Sequence, residues 1–89
     1  NENIHYARLV KFDIAEKFGD IKTMQDIADY FKKVELRQRY NDNIVCMDSL
    51  IRVKKGDCIG AIEYFKMHIK NYTDEAKDRF IIRLNKYAS

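Results

Sequence analysis

Residues that interrupt helices are scarce in this chain of 89 residues, which has no proline and only three glycines. Folds built from many β-strands need frequent turns, and glycine and proline supply most of them. A chain with so few of these residues is expected to form long helices joined by short loops. Its aromatic content of 12% favours a packed core over disorder. We therefore predict an all-α fold class.

Apolar residues recur at helical spacing in five segments, at about 4–18, 23–40, 43–55, 58–72 and 74–87. The predicted buried stripes are Ala7, Val10, Ile14 and Phe18, widened by Leu9 and Phe12; Met24, Ile27, Phe31 and Val34; Ile44, Met47, Leu50 and Ile51, widened by Cys46 and Val53; Ile59, Ile62, Phe65, Ile69 and Tyr72; and Ala76, Phe80, Leu84 and Tyr87. Short loops make neighbouring helices antiparallel. The prediction is a single domain over 1–89, a compact five-helix domain of antiparallel α-hairpins. Hairpin one spans about 4–40, hairpin two about 43–72, and a C-terminal capping helix about 74–87.

Helix ends are predicted from glycine and from residues that cap N-termini. Gly19 and Gly56 should end the first and third helices, since glycine tolerates the left-handed backbone there. Gly60 is expected to let a neighbouring helix approach closely. The predicted N-caps are Thr23, Asp57 and Thr73.

Two stretches of the chain have similar sequences in the same order. Gly19-Asp20 is followed by Tyr30-Phe31-Lys32, and Gly56-Asp57 is followed by Tyr64-Phe65-Lys66. The Tyr-Phe-Lys triplets lie 34 residues apart, a period typical of two-helix repeats.

The second stretch resembles the centre of a tetratricopeptide repeat. Gly56, Ala61 and Phe65 have the spacing at which that family places a turn glycine, a small residue and an aromatic residue. The resemblance implies stacked helical hairpins that bind other proteins. The chain departs from the family pattern at Asp48 and Arg52, where the first helix of a repeat carries large apolar and aromatic residues, and at His68, where a small residue is expected.

Residues 61–87 also resemble the end of a microtubule-interacting-and-trafficking domain, in Ala61-Ile62-Glu63-Tyr64-Phe65, Asp74-Glu75-Ala76-Lys77 and Tyr87. That family binds short helical tails of trafficking proteins between its helices, so this resemblance also implies a protein partner.

No pattern of side chains indicates catalysis or a cofactor. Cys46, Cys58, His5 and His68 lack the close pairing of structural zinc ligands. Dispersed glycines cannot form a phosphate-binding loop. The two cysteines should lie too far apart to form a disulfide, which favours a reducing, cytoplasmic location. We expect a protein that is not an enzyme and has no metal or cofactor.

DNA binding is the alternative hypothesis. Residues 23–31 resemble the first helix of a helix-turn-helix, and a recognition helix would then begin near Val34 and carry Arg37, Gln38 and Arg39. Against this, Lys32-Lys33 continues a helix better than it forms a turn, and the net charge is only +3, all of it in residues 43–89.

The favoured interpretation is a protein-protein interaction module, an adaptor or regulator that binds a partner helix or peptide in a groove between helices. Tyrosine and arginine are enriched at interface hot spots. The predicted partner-binding residues are Tyr30, Arg37, Tyr40, Arg52, Tyr64 and Lys66. Ile81 and Ile82 widen the apolar surface of the fifth helix, which suggests a homo-oligomer through that helix. No apolar run approaches the roughly 18 residues of a membrane span, so no membrane partner is expected.

Overall fold

Five helices make up most of the computed structural model, which describes residues 2–34 and 41–87. They are α1 (Glu2–Phe18), α2 (Ile21–Lys33), α3 (Asn41–Lys54), α4 (Cys58–His68) and α5 (Asp74–Lys86). The described residues contain no β-strand. The predicted all-α class is therefore confirmed.

Helix α3 lies at the centre of the domain and packs against α2, α4 and α5, while α1 packs against α2. Its central position explains why seven of its residues are buried, among them Met47, Leu50 and Ile51. One apolar core joins all five helices, and its buried members are Phe12, Ala15, Met24, Ile27, Ala28, Phe31, Met47, Leu50, Ile51, Val53, Ala61, Phe65, Ile69, Phe80 and Leu84.

Two glycines end helices as predicted. Gly19 follows α1 with φ +69° and Gly56 follows α3 with φ +96°, both in the left-handed region that side chains with a Cβ rarely adopt. The connections that they begin are short, so α2 and α4 turn back directly onto the helices before them.

The N-terminus of α2 differs from the prediction. Asp20, not Thr23, caps the helix, and its carboxylate accepts hydrogen bonds from the Thr23 backbone N–H at 3.2 Å and from the Thr23 hydroxyl at 2.6 Å. The helix therefore begins two residues earlier than predicted. The cause is that an aspartate directly after a glycine can cap the helix as well as a threonine does.

The caps of α4 and α5 are those predicted, Asp57 and Thr73. Gly60 has a different role from the predicted one. A Cβ at this position would lie 2.1 Å from a carboxylate oxygen of Asp57, whose side chain accepts the Gly60 backbone N–H. Glycine at this position leaves room for the cap of its own helix.

Helix α4 ends at His68, not near residue 72 as predicted, because a side chain of α3 binds the next segment. Ile69 is extended, with ψ 136°. The buried Asp42 carboxylate then accepts the backbone N–H groups of Lys70 at 3.1 Å and Asn71 at 3.0 Å. This contact fixes the connection between α4 and α5 against the start of α3.

Replacing Asp42 with alanine should therefore lower the free energy of unfolding by about 2 kcal/mol, because two backbone donors lose a charged acceptor in a buried place. Urea unfolding followed by circular dichroism measures the change. Asp78→Ala, which removes an exposed carboxylate from α5, is the matched control and should change stability by less than about 0.5 kcal/mol. Equal losses in the two variants would contradict this role of Asp42.

The predicted buried stripe of α1 is wrong. Ala7, Val10, Ile14 and Phe18 are exposed, Phe18 by 83%, and the face that packs on the core carries Ala15 and Phe12, which was predicted only to widen the stripe. Apolar residues occur on both sides of this helix, so periodicity alone could not identify the side that meets α2. Ile59, which was predicted to be buried in α4, is likewise exposed.

Candidate functional site

A groove runs between α1, α3 and α5, and we call it the α1–α3–α5 groove. Its volume is about 350 Å³. Its lining residues are Tyr6, Leu9, Val10, Phe12, Asp13, Asn43, Cys46, Met47, Leu50, Tyr72, Phe80 and Arg83. The first, third and fifth helices thus contribute side chains to one concave surface, although α2 and α4 separate them in the sequence.

The floor of this groove is apolar and its rim is polar. Phe12, Met47, Leu50 and Phe80 are buried core residues that form the floor. The rim carries charges of both signs, including Asp13 and the half-exposed Arg83. An apolar floor with a few polar groups at its edge is the usual character of a binding site for a side chain or a small ligand.

The apolar surface continues from the groove onto the exposed face of α1. Tyr6 and Val10 belong to the groove and are 69% and 41% exposed. Ile14 and Phe18 follow Val10 at intervals of four residues on the same side of the helix. Successive exposed apolar residues at this spacing distinguish a patch from the scattered exposed apolar residues that are normal on proteins.

Cys46 and Tyr72 meet inside the groove, with 3.3 Å between the thiol sulfur and the phenol oxygen. Burial raises the pKa of the Cys46 thiol and also that of the Tyr72 hydroxyl. A thiol nucleophile is activated by a lowered pKa, and here the shift has the opposite direction; the pair is a polar contact in the groove wall.

A buried carboxylate connects the two outer walls of the groove. Glu16 of α1 is buried, and it accepts hydrogen bonds from Arg83 at 2.6 Å and from the hydroxyl of Tyr87. Lys54 of α3 lies over the Tyr87 ring, with its Nζ 4.0 Å from the ring centroid. Partial burial and the hydrogen bond to Glu16 raise the pKa of Tyr87 to about 12. These contacts hold α5 beside α1 across α3.

Two of the predicted partner-binding residues meet on the other side of α3, in what we call the α2–α4 cavity. The Arg52 guanidinium lies 3.9 Å from the centroid of the Tyr64 ring. The Tyr64 hydroxyl donates to Asp48 at 3.0 Å, and Lys32 of α2 forms an ion pair with the same carboxylate at 2.9 Å. The cavity has a volume of about 410 Å³ and is lined by Gln25, Lys32, Asp48, Ile51, Arg52, Lys55 and Tyr64.

The other predicted residues are not part of this cluster. Tyr30 lies on α2 against α1, with Arg8 stacked 3.9 Å above its ring centroid. Lys66 is exposed and lies about 200° around α4 from Tyr64, at about 100° per residue. Arg37 and Tyr40 lie outside the described residues.

The DNA-binding hypothesis and the oligomer hypothesis stay predictions. Helix α2 ends at Lys33, and Val34 is extended with ψ 139°. The rest of the proposed recognition helix lies outside the described residues. On α5, Ile81 is partly buried and Ile82 is 58% exposed.

Sequence reasoning missed several residues of the two sites, above all Val10, Glu16, Asp48 and Arg83. The sequence did contain a sign that Asp48 is unusual, because this carboxylate stands where a tetratricopeptide repeat has a large apolar residue. For Glu16 and Arg83 no signal existed, because their contact joins positions 67 residues apart and depends on how α5 folds back onto α1.

No protein-family model, curated protein or solved structure matches this chain. The tetratricopeptide resemblance therefore stays a prediction, and its three residues are described by their contacts alone. Gly56 makes the turn, Ala61 is fully buried in the helix pair, and the Phe65 ring packs on the Phe80 ring of α5.

Within residues 2–34 and 41–87, no group of three or more His, Cys, Asp and Glu side chains is arranged to hold a metal ion. In the same part of the chain, no helix has both the length and the apolar character needed to cross a membrane.

Proposed function

We propose that this domain is a protein-protein interaction module, an adaptor or regulator, and that its partner is an amphipathic helix bound along the α1–α3–α5 groove. The observation that carries this proposal is the continuous apolar surface from the floor of the groove to the exposed face of α1. The groove, at about 350 Å³, can hold one or two apolar side chains of a partner. The rest of the partner's apolar face would cover Val10 and Ile14.

Charge and rigidity support the same mode of binding. Asp13 and Arg83 stand at the rim, where they can pair with charges that flank the apolar stripe of a partner helix. The groove walls belong to three helices whose positions are fixed by the core and by Glu16. A preformed site of this kind avoids part of the entropy cost of binding. The unpaired Cys46 and Cys58 favour a reducing compartment such as the cytoplasm.

Capture of partners from a lysate of the source cells, with paired variants as bait, tests the proposal. Val10→Asp places a charge in the apolar surface beside the groove. Ile82→Asp, the matched control, places the same charge at an exposed apolar position of α5 that is not part of the groove. We expect Val10→Asp to reduce recovery of the partner at least about tenfold, since burying an unpaired charge costs several kcal/mol.

The expected result is a protein recovered by the wild-type domain and by Ile82→Asp but lost with Val10→Asp. Recovery of the same proteins by all three baits would overturn the groove as the binding site. Failure of the wild-type domain to recover any protein reproducibly would count against an interaction module. Thermal unfolding of each bait confirms that both substitutions leave the domain folded.

A further inference from the structure

The α2–α4 cavity contains more positive charge than its own carboxylate can neutralise. Among the described residues, three cations line it, Lys32, Arg52 and Lys55, beside one carboxylate, Asp48. Both oxygens of Asp48 are engaged, one by the Lys32 ammonium at 2.9 Å and the other by the Tyr64 hydroxyl at 3.0 Å. Lys32 therefore balances the charge of Asp48, whose side chain is 7% exposed.

Arg52 and Lys55 form no ion pair with any residue in the described part of the chain. Two positive charges are thus left beside a cavity whose volume of about 410 Å³ lies within the usual range for small-ligand sites, about 300–1,000 Å³. The partly buried Arg52 and the exposed Lys55 line the same cavity, and like charges repel each other unless a counter-charge is present. An anion in the cavity would supply that counter-charge.

Two contacts within the protein fix the position of the Arg52 guanidinium without a ligand. Its central carbon lies over the Tyr64 ring, 3.9 Å from the centroid, and one of its nitrogens donates to the Asp48 backbone carbonyl at 3.3 Å. Arginine has five N–H donors in a rigid fork, so donors remain for a ligand. The fork matches two oxygens of a phosphate or carboxylate, and stacking holds it in place before the ligand arrives.

We propose that the α2–α4 cavity binds a phosphate monoester. The charge of such a group, about −1.5 to −2 at neutral pH, matches the charges of Arg52 and Lys55, which no ion pair among residues 2–34 and 41–87 compensates, whereas a single carboxylate would neutralise only one of them. The phosphate can belong to a small molecule or to a phosphorylated side chain, because both present the same oxygens.

This site is independent of the proposed groove. Arg52 and Leu50, which line the cavity and the groove respectively, lie about 200° apart around α3 at about 100° per residue. The two binding events can therefore be tested separately, and a negative result for one proposal does not contradict the other.

Titration of the ¹⁵N-labelled domain with methyl phosphate at neutral pH, followed by NMR, tests the proposal. Shifts should concentrate on the side-chain Nε–H of Arg52 and on the backbone around Lys55 and Tyr64. We expect a dissociation constant on the order of 1–10 mM, which is reasonable for so small a ligand. Methyl sulfate, a monoanion of similar shape, should bind several-fold more weakly because it balances only one charge.

Three variants distinguish specific binding in the α2–α4 cavity from a general attraction of anions to a basic surface. Lys55→Gln should weaken binding of methyl phosphate about fivefold to tenfold, and Arg52→Lys should weaken it similarly by removing the fork while keeping the charge. Lys66→Gln removes the same charge from the exposed surface of α4 and should leave the affinity unchanged. Thermal unfolding confirms that each variant folds.

The source of the phosphate is distinguished by comparing O-phosphoserine within a peptide with glucose 6-phosphate. Tighter binding of the peptide assigns the site to a phosphorylated protein, and tighter binding of the sugar phosphate assigns it to a small molecule. The proposal is overturned if methyl phosphate causes no shifts at these residues, if methyl sulfate binds equally well, or if Lys66→Gln weakens binding as much as Lys55→Gln.

Discussion

Replacing Phe65 with alanine is expected to lower the free energy of unfolding by about 4 kcal/mol. The Phe65 side chain is fully buried, and its ring lies 4.5 Å from the Phe80 ring and 5.9 Å from the Tyr72 ring, measured between centroids. Its loss removes contacts that join α4 to α5 and leaves a cavity between them. Urea unfolding followed by circular dichroism gives the change.

A loss of this size approaches the whole stability of a domain of 89 residues, about 5–13 kcal/mol by the usual value per residue. Phe65→Leu provides a milder variant that keeps most of the volume and should cost about 1–2 kcal/mol. Met67→Ala, at a position of α4 that is 76% exposed, is the control and should cost less than about 0.5 kcal/mol. Similar losses at residues 65 and 67 would contradict the packing described for α4.

Removing Arg83 should cost more stability than neutralising Glu16, although the two residues form one ion pair. The Glu16 side chain is only 4% exposed, whereas that of Arg83 is 47% exposed. Arg83→Ala leaves a buried carboxylate with Tyr87 as its remaining described partner, and we expect a loss of about 2–3 kcal/mol. Glu16→Gln leaves an arginine that water can reach, and we expect a loss of about 1 kcal/mol.

A double-mutant cycle measured by urea unfolding tests this asymmetry. In the variant carrying both Arg83→Ala and Glu16→Gln, no unpaired charge stays buried, so its loss should be smaller than the sum of the single losses by about 1 kcal/mol or more. Additive losses, or a larger loss for Glu16→Gln than for Arg83→Ala, would contradict the role of Glu16 as a buried charge that Arg83 compensates.

Local signals in the sequence predicted local structure well. Gly19 and Gly56 end helices, and Asp57 and Thr73 begin them, because each of these effects depends on the chemistry of a few neighbouring residues. The errors also have local causes. Asp20 competes with Thr23 for the N-terminus of α2, and both residue types are good caps.

Other errors of the sequence-based prediction arise where contacts between distant parts of the chain determine the structure. The end of α4 is set by Asp42 through its bonds to Lys70 and Asn71, which are 28 and 29 residues away. The candidate sites show the same dependence. Arg52 and Tyr64 were predicted to be partner-binding residues from their type alone, but Lys32 and Asp48 complete their cluster only because α2, α3 and α4 pack together.

By itself, the sequence determined that this chain forms an all-α domain of five helices, because helical periodicity and the scarcity of glycine and proline are properties of short segments. The sequence also predicted the buried faces of α2 and α3, where Met24, Ile27, Phe31, Met47, Leu50 and Ile51 are buried as expected, but tertiary structure alone decided which face of α1 is buried. In α1 both faces are apolar, so hydrophobicity could not choose between them, and packing on α2 buried Phe12 and Ala15 while leaving Val10 and Ile14 exposed. That choice created the surface on which the proposed function depends.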